Sequence, residues 1–237
     1  MMSHFQLLNE NKCAPPVAVF FTCMDARIDP LNLTHTQAGD MYIVRNAGNM
    51  VPNSLTFGLC GQEILAETEP AALDLTLNRS KIKHAVVCGH SDCKAMKLLR
   101  NIYENPHEFD LSSPLHQWVR KRGYRSVDKL QERLKKGNSK IVFASNDNVF
   151  SFRALIDPEN TLNIVDILSQ INTLQQVENI TSHGFLKDLI AKNQIHLHAL
   201  WLDITNADIY LFSKKHERFI IIDEKTVNDL LKEVMDD

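Results

Sequence analysis

Short uninterrupted hydrophobic runs recur along the chain and predict buried strands. Residues 17–22, 41–44 and 85–88 form three such runs. Because strands in a parallel sheet are covered on both faces, they carry continuous apolar runs instead of an alternation of apolar and polar residues. Two further runs, at residues 140–144 and 195–201, predict a fourth and a fifth strand that extend the same sheet.

Segments with helical character separate these runs. Residues 70–77 begin with a proline, which suits the first turn of a helix. Between residues 164 and 180, apolar side chains recur at three- and four-residue steps, which predicts an amphipathic helix that packs on the core or on another subunit. Strands that alternate with helices indicate an α/β fold. We therefore predict a central, mostly parallel β-sheet flanked by helices, with an N-terminal helical arm and a helical C-terminal region.

No repeat, low-complexity tract or linker divides the chain. Its 237 residues therefore predict a single domain, residues 1–237, in which residues 1–14 form the N-terminal arm. Residues 120–140 carry nine basic side chains and only two acidic ones, Asp128 and Glu132. We expect this segment to be a solvated helical face without a functional role.

The composition excludes several classes of function. The chain has 26 basic and 29 acidic side chains and a net charge of −3, so no global positive field attracts nucleic acid. The longest apolar run, residues 17–21, is far shorter than the roughly 20 residues of a membrane-spanning helix. The glycine-rich motifs of dinucleotide and triphosphate sites do not occur. We expect neither a nucleic acid nor a membrane as a partner.

Cysteine usage favours metal or thiol chemistry. The five cysteines are an odd number, and the first residues lack the features of a secretory signal. We therefore expect a reducing compartment, where metal binding or thiol chemistry is favoured over a disulfide framework.

Two of the predicted strands end in side chains that bind metals. Cys23 ends the first strand, and His90 and Cys93 follow the third. Because the carboxyl ends of parallel strands meet at one edge of a sheet, we expect these side chains to lie together. Two thiolates and one imidazole suit Zn²⁺ and leave the fourth tetrahedral position for water or another ligand.

The residues around these ligands strengthen the interpretation. A lone H-x-x-C pair is a weak signal, and a cysteine at a strand end is usually a small buried hydrophobe. However, Asp25 and Arg27 follow Cys23 directly, and charges that emerge from an apolar strand need a partner or an ion. We also expect Ser91 or Asp92 to cap the next helix, which would favour the thiolate of the cysteine at its positive end.

These motifs resemble the paired signatures of the β-class carbonic anhydrases, C-x-D-x-R and H-x-x-C. Here they read Cys23-Met-Asp25-Ala-Arg27 and His90-Ser-Asp-Cys93. The resemblance covers nearly the whole chain and is greatest to the animal members of the class. It also includes residues 39–49, 69–74, 88–96, 168–179 and 195–203.

The resemblance implies a zinc enzyme that converts carbon dioxide reversibly to bicarbonate and a proton. In such an enzyme Cys23, His90 and Cys93 hold Zn²⁺, and zinc-bound hydroxide attacks the substrate. Asp25 then orients this nucleophile, or in another state of the site becomes the fourth ligand. Arg27 keeps the Asp25 carboxylate ionised and away from the metal.

The resemblance further implies a substrate pocket, an assembly and a location. Tyr42 and Ala47 are expected near the zinc, although core packing is an equally good explanation for Tyr42. Members of the class form dimers, often paired into tetramers, so a homodimer or homotetramer is expected. The compartment is expected to be the cytoplasm or the mitochondrial matrix.

Two other functions remain open at this point. One is hydrolysis of a related linear substrate such as carbon disulfide on the same scaffold. The other is a closed, non-catalytic zinc site with Asp25 as a permanent fourth ligand, although the presence of Arg27 argues against it.

Three histidines outside the motifs have no assigned role. His196 and His198 lie two residues apart on a predicted strand and so share a face. Ordinary core or rim histidines explain them better than a second metal site does. His35, a short loop beyond the first motif, is a candidate for relaying protons to buffer.

Overall fold

A six-stranded sheet forms the centre of the protein. The computed structural model describes residues 14–54, 67–137, 139–145 and 150–236. Its strands are β1 (Ala18–Cys23), β2 (Met41–Asn46), β3 (His84–His90), β4 (Ile141–Ala144), β5 (Ser151–Ala154), β6 (His196–Asp203), β7 (Asp208–Ser213) and β8 (Arg218–Ile221). The central sheet has the order β2-β1-β3-β6-β7-β8, in which the first four strands are parallel. The predicted α/β architecture is confirmed.

Seven α-helices surround the strands in the described part of the chain. They are α1 (Pro30–Thr34), α2 (Thr68–Leu73), α3 (Lys94–Glu104), α4 (Pro114–Lys136), α5 (Ile164–Thr181), α6 (Lys187–Ala191) and α7 (Val227–Asp236). Helix α2 continues into a π-helical turn, Asp74–Arg79, so the helix predicted at residues 70–77 is present but changes its pitch. Side-chain caps begin several helices, as Asp29 does for α1 and Asn163 for α5.

Strand β1 shows why the hydrophobic runs predicted the sheet correctly. Five of its six residues are buried, because β2 and β3 flank it and helices cover the sheet. The side chains of Val19 and Phe21 enter the main hydrophobic core. The parallel register places Thr22 beside Cys88 and Cys23 beside Asn46, so β1, β2 and β3 end at the same edge.

The fourth predicted strand does not extend the central sheet, so this prediction was wrong. Strand β4 pairs with β5 in a separate two-stranded antiparallel sheet, in which the rings of Phe143 and Phe152 stack with centroids 5.0 Å apart. The hairpin of β7 and β8 takes the place beside β6 instead. The predicted helical C-terminal region therefore begins with this hairpin and ends with α7.

Helix α5 is not amphipathic in the sense expected, because its polar residues are buried as well. Every residue from Asp166 to Ile180 is buried. The Asn172 side-chain amide donates to the Gly48 carbonyl at 2.9 Å, and the Gln176 side-chain oxygen accepts from the Val51 amide at 2.8 Å. Buried polar groups are tolerated when they are hydrogen-bonded, and here they hold the loop that follows β2.

The basic segment is likewise only partly a solvated face. Arg122 and Arg133 on α4 are buried. Arg122 contacts the carboxylate of Glu67, and Arg133 donates to the Ile156 carbonyl at 3.1 Å. A charge pattern does not show which cations have partners elsewhere in the fold, so the prediction was wrong for these two arginines.

Two predictions lie largely outside the described residues or stay untested. Of the predicted arm, residues 1–14, only Ala14 is described. The division of the chain into a single domain, residues 1–237, stays a prediction. Among the described helices, none combines the length and the apolar character that crossing a membrane requires.

Strand β3 approaches α5 very closely at Gly89, which leads to a test of the packing. A Cβ at this position would lie 1.9 Å from Thr173 Oγ1 and 3.3 Å from Trp201. Thr173 resists movement because its hydroxyl donates to the Ser169 carbonyl at 2.8 Å. We expect Gly89→Ala to lower the free energy of unfolding by about 2 kcal/mol, the usual scale of overpacking, as measured by chemical denaturation.

Two variants control this measurement. Gly184→Ala should leave stability nearly unchanged, because the described structure places no heavy atom within 4 Å of the added Cβ apart from its own local backbone and chain neighbours. A second substitution, Thr173→Ala, should restore part of the stability that Gly89→Ala loses. If Gly89→Ala were as stable as the unsubstituted protein, the close approach of β3 and α5 would be wrong.

Candidate metal centre

Three predicted ligands converge at the carboxyl edge of the sheet. Cys23 is the last residue of β1, His90 is the last of β3, and Cys93 precedes α3 directly. One potential ligand atom from each lies within 4.8 Å of the others, and all three side chains are buried. The prediction that the two motifs meet is confirmed.

The ring of His90 is oriented as a metal ligand. Its Nδ1 lies 2.8 Å from the Ser91 carbonyl oxygen, which accepts a hydrogen bond, so Nδ1 carries the proton. Its Nε2 is buried and has no hydrogen-bond partner among the residues that the structure describes. An orphaned buried nitrogen is unfavourable, whereas a backbone carbonyl that fixes the other nitrogen is the usual arrangement for a metal-binding histidine.

The two thiols interact directly. A hydrogen bond with the Cys93 side chain lowers the pKa of Cys23, against the opposing effect of burial. The Gly48 amide also donates to the Cys23 sulfur at 3.4 Å. The same pairing raises the pKa of Cys93, and burial adds to this rise. Both thiols must be deprotonated to bind a metal as thiolates.

The loop between His90 and Cys93 is held differently from the prediction. Neither Ser91 nor Asp92 caps α3; Cys93 itself occupies the cap position, and no side chain bonds there. The Ser91 hydroxyl donates to the Asp203 carboxylate at 2.9 Å, and the Asp92 amide donates to the Asp166 carboxylate at 2.7 Å. The amides of the first helical turn do act to lower the pKa of Cys93, but the neighbouring sulfur and burial outweigh them.

Asp25 and Arg27 form a two-pronged ion pair beside the ligands. Arg27 Nε donates to Asp25 Oδ1 at 2.9 Å and Nη2 donates to Oδ2 at 2.8 Å. The Arg27 amide also donates to Oδ1 at 3.0 Å. Hydrogen bonding from the Arg27 guanidinium, against the opposing effect of burial, keeps the pKa of Asp25 well below its usual range. The Asp25 carboxylate therefore stays ionised throughout the neutral pH range.

Two charged residues that sequence reasoning missed complete this arrangement. Arg27 Nη1 donates to the Asp92 carboxylate at 2.8 Å, and Nη2 donates to the Asp92 carbonyl at 3.2 Å. Arg45 Nη2 donates to the Asp25 carbonyl at 2.8 Å, and its Nε donates to the Cys23 carbonyl at 3.1 Å. The motif spacing did show that Asp92 lies between two ligands, but only the fold shows that it faces Arg27.

The remaining predicted site residues are less closely grouped. Ala47 precedes Gly48, whose amide contacts the Cys23 sulfur, so it lies beside the ligands. Tyr42 pairs in register with Val19, four residues or about 13 Å along the strand from Cys23, and packs against the core. The structure does not bring Tyr42 to the ligands of its own chain, and its contact with substrate stays a prediction.

The candidate proton relay also stays a prediction. His35 ends α1 in a left-handed conformation, with φ of 51°, and its amide donates to the Asn32 carbonyl. This position caps the helix and does not by itself define a path for protons.

The arrangement suits a metal ion with one open coordination position. Two sulfurs and one imidazole nitrogen form a donor set typical of Zn²⁺. The residues therefore fit such an ion on their own chemistry. Among the described residues no fourth side chain converges with these three, and Arg27 binds both oxygens of the Asp25 carboxylate.

Comparison with known sequences identifies the relatives of this chain. The sequence profile described as "Carbonic anhydrase" matches residues 18–209. The chain is 48% identical over 235 residues to beta carbonic anhydrase 1 of Caenorhabditis elegans, an alignment that covers 99% of this chain and 86% of the relative. It is 49% identical over 220 residues to beta carbonic anhydrase 1 of Caenorhabditis briggsae, covering 92% of this chain and 81% of the relative.

Solved structures share the fold. The beta-carbonic anhydrase CcaA matches with a TM-score of 0.69 and 21% identity, covering 93% of this chain and 91% of that protein. A tetrameric beta-carbonic anhydrase from Sordaria macrospora matches with a TM-score of 0.60 and 16% identity, covering 89% of this chain and 90% of that protein.

The ligand assignment leads to a direct measurement of metal content. Cys93→Ser should reduce the bound zinc from one per chain to well below half, because one thiolate and one imidazole rarely retain zinc in a protein. Inductively coupled plasma mass spectrometry of the purified variant measures this. Cys88→Ala is the matched control, since Cys88 is also a buried free cysteine but lies outside the three-ligand group. Full zinc occupancy in Cys93→Ser would refute the assignment.

Proposed function

Because the chain belongs to the β class of carbonic anhydrases, which hydrate carbon dioxide reversibly, we propose that Zn²⁺ bound by Cys23, His90 and Cys93 serves this reaction. The observation that carries the proposal is the buried, unpartnered Nε2 of His90 beside two thiols. In the reaction, carbon dioxide and water give bicarbonate and a proton. When bound, zinc supplies a Lewis acid that lowers the pKa of a water ligand, an effect well known from the carbonic anhydrases that hold zinc through three histidines.

Asp25 orients the attacking oxygen in this mechanism. An ionised carboxylate only accepts hydrogen bonds, so Asp25 accepts one from the O–H group of the nucleophile. This contact leaves a lone pair of the nucleophilic oxygen directed at the carbon of the substrate. Arg27 keeps this acceptor charged and fixed in direction, since it binds both carboxylate oxygens. The pair acts by orientation and does not itself form a covalent bond with carbon dioxide.

A small apolar surface receives the substrate. Carbon dioxide has no net dipole, and we assign Ala47 to its binding because this residue adjoins the ligands and packs against the hydrophobic core. The Ala47 carbonyl accepts a hydrogen bond from the Trp118 indole at 2.8 Å, which fixes the backbone at this point.

Neither alternative function gains support. A closed site requires Asp25 as a permanent ligand, whereas Asp25 is not one of the side chains that converge, and Arg27 holds its carboxylate. The relatives with full-length matches are named carbonic anhydrases, so hydrolysis of carbon disulfide is not favoured.

We also propose that the protein works as a homo-oligomer. In the described part of the chain, β2 forms an edge of the central sheet, and Val17 and Ile43 near this edge expose apolar side chains. Such an edge is a template for pairing with a second copy, and homo-oligomers are usually symmetric. The Sordaria macrospora relatives are described as tetrameric.

The assembly can be tested by light scattering after size exclusion. We expect a dimer or tetramer at micromolar concentration, and we expect Ile43→Lys to shift the population to smaller species because it places a charge at the edge. Val142→Lys, a similarly exposed aliphatic position on β4, should leave the assembly unchanged. A monomer throughout this range would contradict the proposal.

The orienting pair yields the sharpest test of the mechanism. Arg27→Ala should retain zinc and the fold but lose carbon dioxide hydration about 100-fold, as removal of a partner that orients a metal site can do. The released Asp25 carboxylate would then be available as a fourth ligand. The double variant Asp25→Ala, Arg27→Ala should therefore regain some activity over Arg27→Ala, measured by stopped-flow hydration together with zinc content.

Arg79→Ala provides the matched control. Arg79 also makes an ion pair with a nearby aspartate, in which its Nε donates to the Asp74 carboxylate at 2.7 Å, away from the ligands. This variant should hydrate carbon dioxide at the unsubstituted rate. Near-normal activity in Arg27→Ala would exclude the orienting role, while loss of zinc would make Arg27 a structural support of the ligand loop.

A further inference from the structure

Two different elements hold the loop between His90 and Cys93, each at one of two adjacent residues. The end of β6 holds Ser91, whose amide donates to the Leu202 carbonyl at 2.9 Å and whose hydroxyl donates to the Asp203 carboxylate at 2.9 Å. The Ser91 carbonyl in turn accepts the hydrogen bond from His90 Nδ1. The attachment to β6 therefore acts on a metal ligand.

Helix α5 holds the next residue of the loop, Asp92. Asp166 lies in the first turn of α5, and its Oδ1 accepts a hydrogen bond from the Asp92 amide at 2.7 Å. Its Oδ2 accepts from the Asn163 side-chain amide at 2.6 Å, and the Asn163 side-chain oxygen accepts from the Asp166 amide at 3.1 Å. Asp166 is buried, so its carboxylate is fixed in direction by these two donors.

The backbone of Asp92 is in a conformation that needs such an anchor. Its φ of 52° is left-handed and unfavourable for a residue with a side chain. Arg27 binds Asp92 twice, because Nη1 donates to its carboxylate at 2.8 Å and Nη2 donates to its carbonyl at 3.2 Å. The conformation of this one residue therefore sets where the guanidinium can bind.

We propose that Asp166 is a positioning residue for the orienting pair, Asp25 and Arg27, and that it acts through Asp92. The inference rests on the proposed function, in which this pair orients the attacking oxygen. Asp166 is not among the side chains that converge at the metal centre. The two attachments of the loop thus have separate effects, since β6 fixes the His90 ring and α5 fixes the guanidinium.

A pair of backgrounds tests whether Asp166 acts through Arg27. Asp166→Ala should lower kcat for carbon dioxide hydration at least about tenfold, the effect expected when a residue that supports a metal site is removed. Its KM and zinc content should remain nearly unchanged. In the Arg27→Ala background the same substitution should cost less than about twofold, because residues in one series of contacts are not additive. Stopped-flow hydration and metal analysis measure these effects.

An exchange of side chains tests the hydrogen bonds themselves. Asp166→Asn keeps an acceptor for the Asp92 amide but turns its NH₂ group towards that of Asn163, so kcat should fall by less than in Asp166→Ala. This variant also serves if the alanine variant does not fold. Adding Asn163→Asp restores the pair with donor and acceptor exchanged, and kcat should return to within about twofold of the unsubstituted protein.

Glu233→Ala is the matched control. Glu233 on α7 likewise accepts a backbone amide of a loop, that of Lys215 at 3.1 Å, but this loop joins β7 to β8 and carries no ligand. The variant should hydrate carbon dioxide at the unsubstituted rate. An equal loss of kcat after Asp166→Ala in both backgrounds would overturn the inference. Loss of zinc in proportion to the rate would do the same, because Asp166 would then support the ligands.

The crystal structure of Asp166→Ala separates this inference from the proposed function. We expect Arg27 Nη1 to lose its contact with Asp92, while His90 and Cys93 keep their positions. An unchanged contact between Arg27 and Asp92 would show that Asp166 does not position the pair, whatever the activity. If instead the unsubstituted protein did not hydrate carbon dioxide, the proposed function would fail, and the same structure would still decide whether Asp166 positions Arg27.

Discussion

The parallel register of β1 and β3 is the constraint on which the site depends. Cys23 and His90 are far apart in the sequence. Hydrogen bonding between the two strands brings them together at the carboxyl end of the sheet. Helix α5 then holds the backbone at this end of the sheet. The Ser169 hydroxyl donates to the His90 carbonyl at 2.6 Å, and the Asn172 amide donates to the Gly48 carbonyl. The buried polar face of α5 is thus explained by the site, since it positions the backbone that carries and contacts the ligands.

The loop between His90 and Cys93 links the ligands to the ion pair. Its ends supply two ligands, and Asp92 within it binds the edge of the Arg27 guanidinium next to the one that Asp25 binds. Movement of the ligand loop would therefore also move the group that holds Asp25. The same loop therefore positions both the metal ligands and, through Arg27, the orienting carboxylate.

Particular residues show what the sequence predicts and where prediction ends. Continuous apolar runs identified β1 and β3, and the side chains directly after them identified the ligands, because both signals are local. The pairing of β4 with β5 and the burial of Arg122 depend on distant partners, so local patterns predicted them wrongly. Asp92 was predicted to cap a helix, and its contact with Arg27 was missed for the same reason: nothing within three residues of it shows that it faces Arg27.

Asp92 is better explained as a residue that orients the Arg27 guanidinium than as one that stabilises the folded protein. Its side chain is 71% exposed and that of Arg27 is 41% exposed, and such ion pairs contribute about 0.2–1 kcal/mol because water screens them. Asp92 also has a φ of 52°, a left-handed conformation that is unfavourable for most residues and tolerated best by asparagine and aspartate. The stabilisation from a weak ion pair does not explain why an aspartate occupies this unfavourable backbone conformation. What the residue does contribute is direction, since its carboxylate and carbonyl together bind the edge of the guanidinium that Asp25 leaves open.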